Sequence, residues 1–254
     1  MSAPGAEEVG TNRAKQLLRG FIPGFLLQQR EIARRLGVEA GRQYLRLRFL
    51  DTIGVRGQNY RPVPSSARSL LFVCHGNIMR SALAESLTYR VLHECGIEEK
   101  IIVISAGIHA TAGREAHPWA QDAANELGIT LAGHRARPLT HDMVESSDAI
   151  LAMDYQNKAE LSARFPEYRE KVYMLGAYAE GAGQYREIAD PYHGDLETTR
   201  ICARQLQVCI RNLIGSLFPD SVPLKETDSM TSQQAASAGK SRGPAVIGTN
   251  RRQI

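Results

Sequence analysis

The chain has 254 residues, 43% of them hydrophobic, and a formal net charge of +4, enough apolar matter for one generous soluble domain with appendages. No apolar run approaches the roughly 18 residues of a membrane helix, and Glu7 and Glu8 precede the first basic residues, unlike a secretory signal, so a cytoplasmic location is expected. Its 4 cysteines do not make a disulfide framework, which fits a reducing compartment.

Charge is distributed unevenly. Residues 1–68 hold 12 Lys/Arg against 5 Asp/Glu (+7), residues 69–220 hold 14 against 20 (−6), and residues 221–254 hold 5 against 2 (+3). Between Phe25 and Leu50 the apolar positions Leu27, Ile32, Leu36, Leu45, Leu47 and Phe49 alternate with arginines, which predicts a helix followed by a strand or a second helix. Three roles stay open for this basic extension: packing on the main domain through Leu27, Ile32, Leu36 and Phe49, docking of a partner such as a kinase, or contact with an anionic membrane surface. Asn59 to Ser66, with two prolines, reads as a linker.

From Ser69 the pattern becomes regular. Leu70–Val73 predicts a buried parallel strand, and a helix follows in which Leu83, Leu87, Val91 and Cys95 recur every four residues up to a left-handed cap at Gly96. Further strands are predicted at 101–104, 149–153 and 172–175, and helices near 117–127, 155–164 and 195–217. Cys202 and Cys209 share the last helix with backbones about 10 Å apart, too far for a bridge, and are expected as core thiols. The fold class is α/β: a doubly wound, three-layer, mostly parallel four-stranded sheet with helices on both faces. The expected organisation is a basic extension (1–68), the α/β domain (69–218), and a tail (219–254) too poor in apolar residues to order.

Ligands in such sheets bind at the carboxyl ends of strands, where the first strand runs into Cys74-His75-Gly76-Asn77-Ile78-Met79-Arg80-Ser81. A cysteine and an arginine separated by five residues, between strand and helix, can wrap the backbone into a cup whose N–H groups face an anion. The helix start and Arg80 favour an ionised sulfur, and a guanidinium binds two phosphate oxygens at once. Alone, C-x5-R also fits a buried strand-end thiol, Asp190 a turn-forming Asp-Pro, and His134 a surface histidine.

The loop CHGNIMRS after LLFV resembles the phosphate loop of the low-molecular-weight protein tyrosine phosphatases, usually C-x-G-N-x-C-R-S. Ser105-Ala106-Gly107, GHRAR at 133–137, AILAMD at 149–154 and DPYHG at 190–194 match the same family in order, so that roughly residues 69–218 are covered. The resemblance implies Cys74 as nucleophile, Arg80 as clamp and Asp190 as general acid. His75, Gly76, Asn77, Ile78, Met79 and Ser81 would line the bound phosphate, Ser105 and His134 would support the loop, and His109, Tyr192 and His193 would border the substrate cleft. It implies hydrolysis of protein phosphotyrosine through a cysteinyl-phosphate, with no metal, no cofactor and no nucleic-acid partner.

Three departures from the family pattern stand out. Met79 replaces a second loop cysteine, the segment after Ser105 lacks the family's frequent aromatic, and His193 replaces a second aromatic after Tyr192. Arginine phosphatases resemble the chain as well but tend to carry threonine where Ile78 stands. A thioredoxin-coupled arsenate reductase would need relay cysteines near the loop, which the sequence does not supply, and a non-catalytic phosphoprotein-binding module is the remaining alternative.

Overall fold

The structure is a computed structural model that describes residues 24–55, 60–179 and 187–221. The strands β1 (Ser69–Cys74), β2 (Ile102–Gly107), β3 (Ala149–Ala152) and β4 (Val172–Met174) form one sheet in the order β2-β1-β3-β4. Every pairing is parallel. Strand β2 continues to Gly107, beyond the expected 101–104, because Ser105, Ala106 and Gly107 keep register with Phe72, Val73 and Cys74.

Period-2 alternation sends successive side chains into two separate cores. Leu70, Phe72, Cys74 and Leu151 join one core, and Leu71, Val73, Ile150 and Ala152 the other. The first core is closed by α3 (Arg80–Cys95), α4 (Pro118–Glu126) and α7 (Leu196–Leu217), which carry Leu83, Leu87, Val91, Ala120, Leu206 and Ile210 into it. The second is closed by α5 (His141–Ser146), which sequence reading did not foresee, and α6 (Tyr155–Arg164). Gly96 caps α3 at φ 63°, as its position after Cys95 predicts. Cys202 and Cys209 are buried and free, and burial pushes each thiol up to about 12.

The basic extension resolves to two helices, α1 (Gly24–Arg35) and α2 (Val38–Thr52), in the same compact unit as the sheet. The packing expected through Leu27 and Phe49 is not found: they are 37% and 62% exposed, and Leu45 is exposed too. Ala33 and Tyr44 enter the second core instead, with Ile32, Leu36 and Leu47 packed against it. Two features that hydropathy does not register explain the difference. A Cβ on Gly41 would stand 2.2 Å from the Ala33 carbonyl oxygen, so glycine lets α1 and α2 touch backbone to backbone. The buried Tyr44 hydroxyl donates to Gln29, a polar pair that a count of apolar residues overlooks.

Arg48 on α2 pairs with Glu187 at 2.6 Å, each side chain 25% exposed, and its guanidinium lies over the Tyr44 and Tyr155 rings. Arg48→Met is expected to cost about 1–3 kcal/mol, because Glu187 keeps its burial and loses its cation. Turnover of a small aryl phosphate should stay within about three-fold, since none of the site residues expected from the sequence lies before Cys74. Melting temperature and kcat measured on the same preparation check both, and an unchanged melting temperature would contradict the packing.

Most of the expected disordered tail (residues 222–254) and Asn59 of the linker lie outside the described residues. Among the described residues no helix is long and apolar enough to cross a membrane.

Candidate active site

Strand β1 delivers Cys74, and α3 starts at Arg80, so the intervening loop must reverse within five residues. It does so at Asn77, the one non-glycine residue with positive φ (52°) among the described residues, a conformation asparagine tolerates better than most side chains. The turn is held from outside: Ile108 N–H donates to Cys74 O (3.0 Å), His109 N–H to His75 O (2.8 Å), and His117 N–H to Ile78 O (2.8 Å). Gly107 permits this contact, because a Cβ there would lie 2.7 Å from Asn77 N.

Part of the side-chain network around the sulfur has a determined direction. Arg137 N–H can only donate, so the Asn77 atom facing it at 2.8 Å is Oδ1, and Nδ2 donates to Ser81 Oγ (2.9 Å) and Ser105 Oγ (2.8 Å). Ser105 then gives its proton to Glu85 at 2.5 Å, a carboxylate also held by Arg137 Nη2 at 2.7 and 2.8 Å. Ser81 Oγ lies 3.0 Å from Cys74 Sγ and 3.4 Å from Ala106 O, so its one proton can go to either acceptor. Asn77 N–H donates to Sγ at 3.3 Å, and His134 Nε2 meets Asn77 O at 2.7 Å.

Arg80 is the largest fully buried side chain. Its Nη1 donates to Asp154 Oδ2 (2.5 Å) and Ile188 O (3.1 Å), and its Nη2 to Asp190 Oδ2 (2.6 Å). Burial opposes its charge, but Asp154, the Cys74 sulfur and Asp190 outweigh burial and raise its pKa above the usual arginine value. Asp190 Oδ1 accepts from Tyr192 N–H at 3.3 Å, so Asp190 is both turn former and neighbour of Arg80. The cap of α7 is a different residue, Asp195, which accepts from Thr198 N–H.

The cleft residues fall on two sides of the loop. His75 and His109 stack with ring centroids 4.6 Å apart, and His109 Nε2 meets Glu160 Oε2 at 2.5 Å. These three residues bring metal-capable donor atoms within 4.8 Å of one another, and the His109–Glu160 hydrogen bond accounts for much of that closeness. On the other side Tyr192 meets His193 (5.1 Å) and His117 (5.9 Å), and Trp119 backs His117 at 4.9 Å. Partial burial, with Arg114 nearby, lowers the His117 pKa, and its Nδ1 accepts from Trp119 N–H at 3.3 Å. Trp119 itself packs against the first core.

Sequence reading missed Asp154, Glu85, Arg137 and His117. The first and third lie inside segments already noticed, AILAMD and GHRAR, so attention to the charged residue of each would have found them. Glu85 and His117 carry no comparable signal: one sits in the first turns of α3, and the other reads as a helix cap before Pro118.

The sequence matches the family described as "Low molecular weight phosphotyrosine protein phosphatase" over residues 69–223. A protein-arginine-phosphatase of Bacillus subtilis is 34% identical over 59% of this chain and 97% of its own length. The low molecular weight protein-tyrosine-phosphatase Etp of Escherichia coli is 39% identical over 49% of this chain and 77% of its own. Among solved structures, a YwlE arginine phosphatase mutant with a phosphorylated active-site serine has 33% identity and TM-score 0.55, covering 60% of this chain and 97% of that one. The tyrosine phosphatase Wzb of Escherichia coli K30 in complex with sulphate has 30% identity and TM-score 0.53, covering 59% and 99%. With a loop that faces hydrogen-bonding groups toward a cysteine sulfur, a buried arginine beside it and this match across the α/β unit, the chain belongs to the low molecular weight phosphotyrosine protein phosphatase family.

Proposed function

We propose that the chain hydrolyses protein phosphotyrosine, with Cys74 as nucleophile, Arg80 as phosphate clamp and Asp190 as acid and then base. The carrying observation is that Cys74 Sγ accepts from Asn77 N–H and shares a hydrogen bond with Ser81 Oγ, while Arg80 is fixed beside it by Asp154 and Ile188 O. The thiolate attacks phosphorus in line, the P–O bond to the substrate breaks, and Asp190 gives its proton to the departing oxygen. Loop N–H groups and Arg80 hold the equatorial oxygens. A phosphoryl oxygen takes over the Arg80 Nη2 that otherwise faces Asp190, which frees the carboxyl to reach the leaving group. Water then attacks the cysteinyl-phosphate, Asp190 takes its proton, and phosphate leaves.

Two observations favour an aromatic substrate. Ile78 is apolar and 5% exposed, and Tyr192 and His117 supply two aromatic rings set edge to face. The Bacillus subtilis relative motivates a second reading, phosphoarginine. Matched peptides bearing phosphotyrosine, phosphoserine or phosphoarginine, assayed with the full-length chain, decide between them. Phosphotyrosine is expected to give the highest kcat/KM, and preference for phosphoarginine would overturn the assignment.

Met79 is 3% exposed within the loop, and both helical thiols of α7 are held protonated by burial. No neighbouring thiol therefore traps an oxidised Cys74 as a disulfide before further oxidation. After a peroxide pulse, recovery by dithiol reductant is expected to be poor, and several-fold better in Met79→Cys; equal recovery would point to another protective route.

A further inference from the structure

Between α2 and α6 lies a cavity of 660 Å³ that none of the phosphate-loop residues lines. Its cationic lining comes from four places: Arg42 and Arg46 on α2, Arg61 in the segment before β1, Lys158 on α6, and Arg169 in the turn before β4. Only Glu39 and Glu170 oppose them, so the lining carries five cations against two carboxylates, or +3. Both carboxylates are already shared: Glu39 accepts from Arg42 and Gln43, and Glu170 pairs with Arg61 at 3.1 Å and Arg169 at 3.7 Å. Arg46 makes no hydrogen bond or ion pair among the described residues.

Lys158 sharpens the imbalance. It is 8% exposed, and burial together with Arg61 lowers its pKa to about 8. Burial and Arg61 oppose its charge while Glu170 supports it, so a further anion in the cavity would favour the charged form. Arg61 is held in place by stacking over Tyr173 at 4.5 Å while its Nη1 pairs with Glu170. The volume exceeds what one phosphate fills and lies in the range of sites for small organic ligands.

We propose that this cavity binds a small polyanion carrying two or more phosphate groups, held by Arg42, Arg46, Arg61 and Lys158. The occupant bridges the extension and the α/β unit and gives Arg46 of α2 a ligand. The site is independent of the phosphatase assignment, because it contains neither Cys74 nor Arg80.

The test is calorimetric titration of pyrophosphate into the full-length chain and into Arg80→Ala, whose catalytic cup has lost its clamp. One binding event with a dissociation constant at or below about 100 µM is expected to survive in Arg80→Ala and to weaken with salt. Arg46→Glu and Lys158→Met should each weaken it at least ten-fold. Arg46 is exposed, so its variant does not fail through misfolding, and in the otherwise unaltered chain it should remove one binding event while leaving turnover intact. ADP distinguishes the sources: equal or tighter binding assigns the cavity to a nucleotide, and exclusion of ADP assigns it to inorganic polyphosphate. No binding outside the catalytic cup, or affinity indifferent to Arg46→Glu, would overturn the proposal.

Discussion

Cys74→Ser is expected to lower phosphatase turnover by about 10⁴-fold or more while leaving the fold and oxyanion binding intact. A serine hydroxyl is not ionised at neutral pH and is a poor nucleophile toward phosphorus. The groups now facing the sulfur, Ser81 Oγ at 3.0 Å and Asn77 N–H at 3.3 Å, can face a hydroxyl oxygen without rearrangement. The variant should therefore melt within a few degrees of the parent and still bind phosphate or vanadate. Residual turnover above one per cent of the parent would sink the assignment of Cys74. Arg80→Lys is the natural companion: one ammonium cannot span Asp154, Ile188 O and a phosphoryl oxygen at once.

Strand–helix alternation was legible because each strand holds a short apolar run, and the run in β1, Leu70–Val73, leads straight into the cysteine. Parallel pairing followed from the helix between each pair of strands. The loop was legible for a related reason: its chemistry lies in consecutive residues, so spacing along the chain equals spacing in the site. The second ring of the site is assembled across distance. Arg80 meets Asp154 from 74 positions away and Asp190 from 110, and Arg137 meets Glu85 from 52, separations at which no local pattern survives.

The extension was only half legible. Ile32 and Leu36 pack on the second core as their apolar spacing suggests, yet Leu27, Leu45 and Phe49 face outward, and Ala33, Gly41 and Tyr44 complete the contact. Close helix approach needs small residues, and the cation that ties α2 to Glu187 is one arginine among many. Which arginine pairs and which stays exposed depends on helix rotation, which hydropathy fixes poorly in a segment where arginines and leucines alternate.

Asp190→Asn should reduce turnover by about 10²–10⁴-fold on phosphate esters with poor leaving groups, and far less on activated aryl phosphates. Asparagine is nearly isosteric, and its carbonyl oxygen can still accept from Arg80 Nη2 or from Tyr192 N–H, so the turn at Pro191 is kept. What it lacks is a proton to deliver. The loss should therefore scale with how much the departing oxygen needs one, and a steeper dependence of rate on leaving-group pKa is the signature to measure. Asp154→Asn supplies the contrast: Asp154 caps α6 through Asn157 N–H at 2.7 Å and fixes Arg80 through Nη1, not through the Nη2 that faces Asp190. Weakening that anchor misplaces the clamp for every substrate, so the Asp154 loss should be the same across leaving groups. If the two variants gave the same flat dependence, Asp190 would be a positioning residue for Arg80, and the proton would have to come from another group.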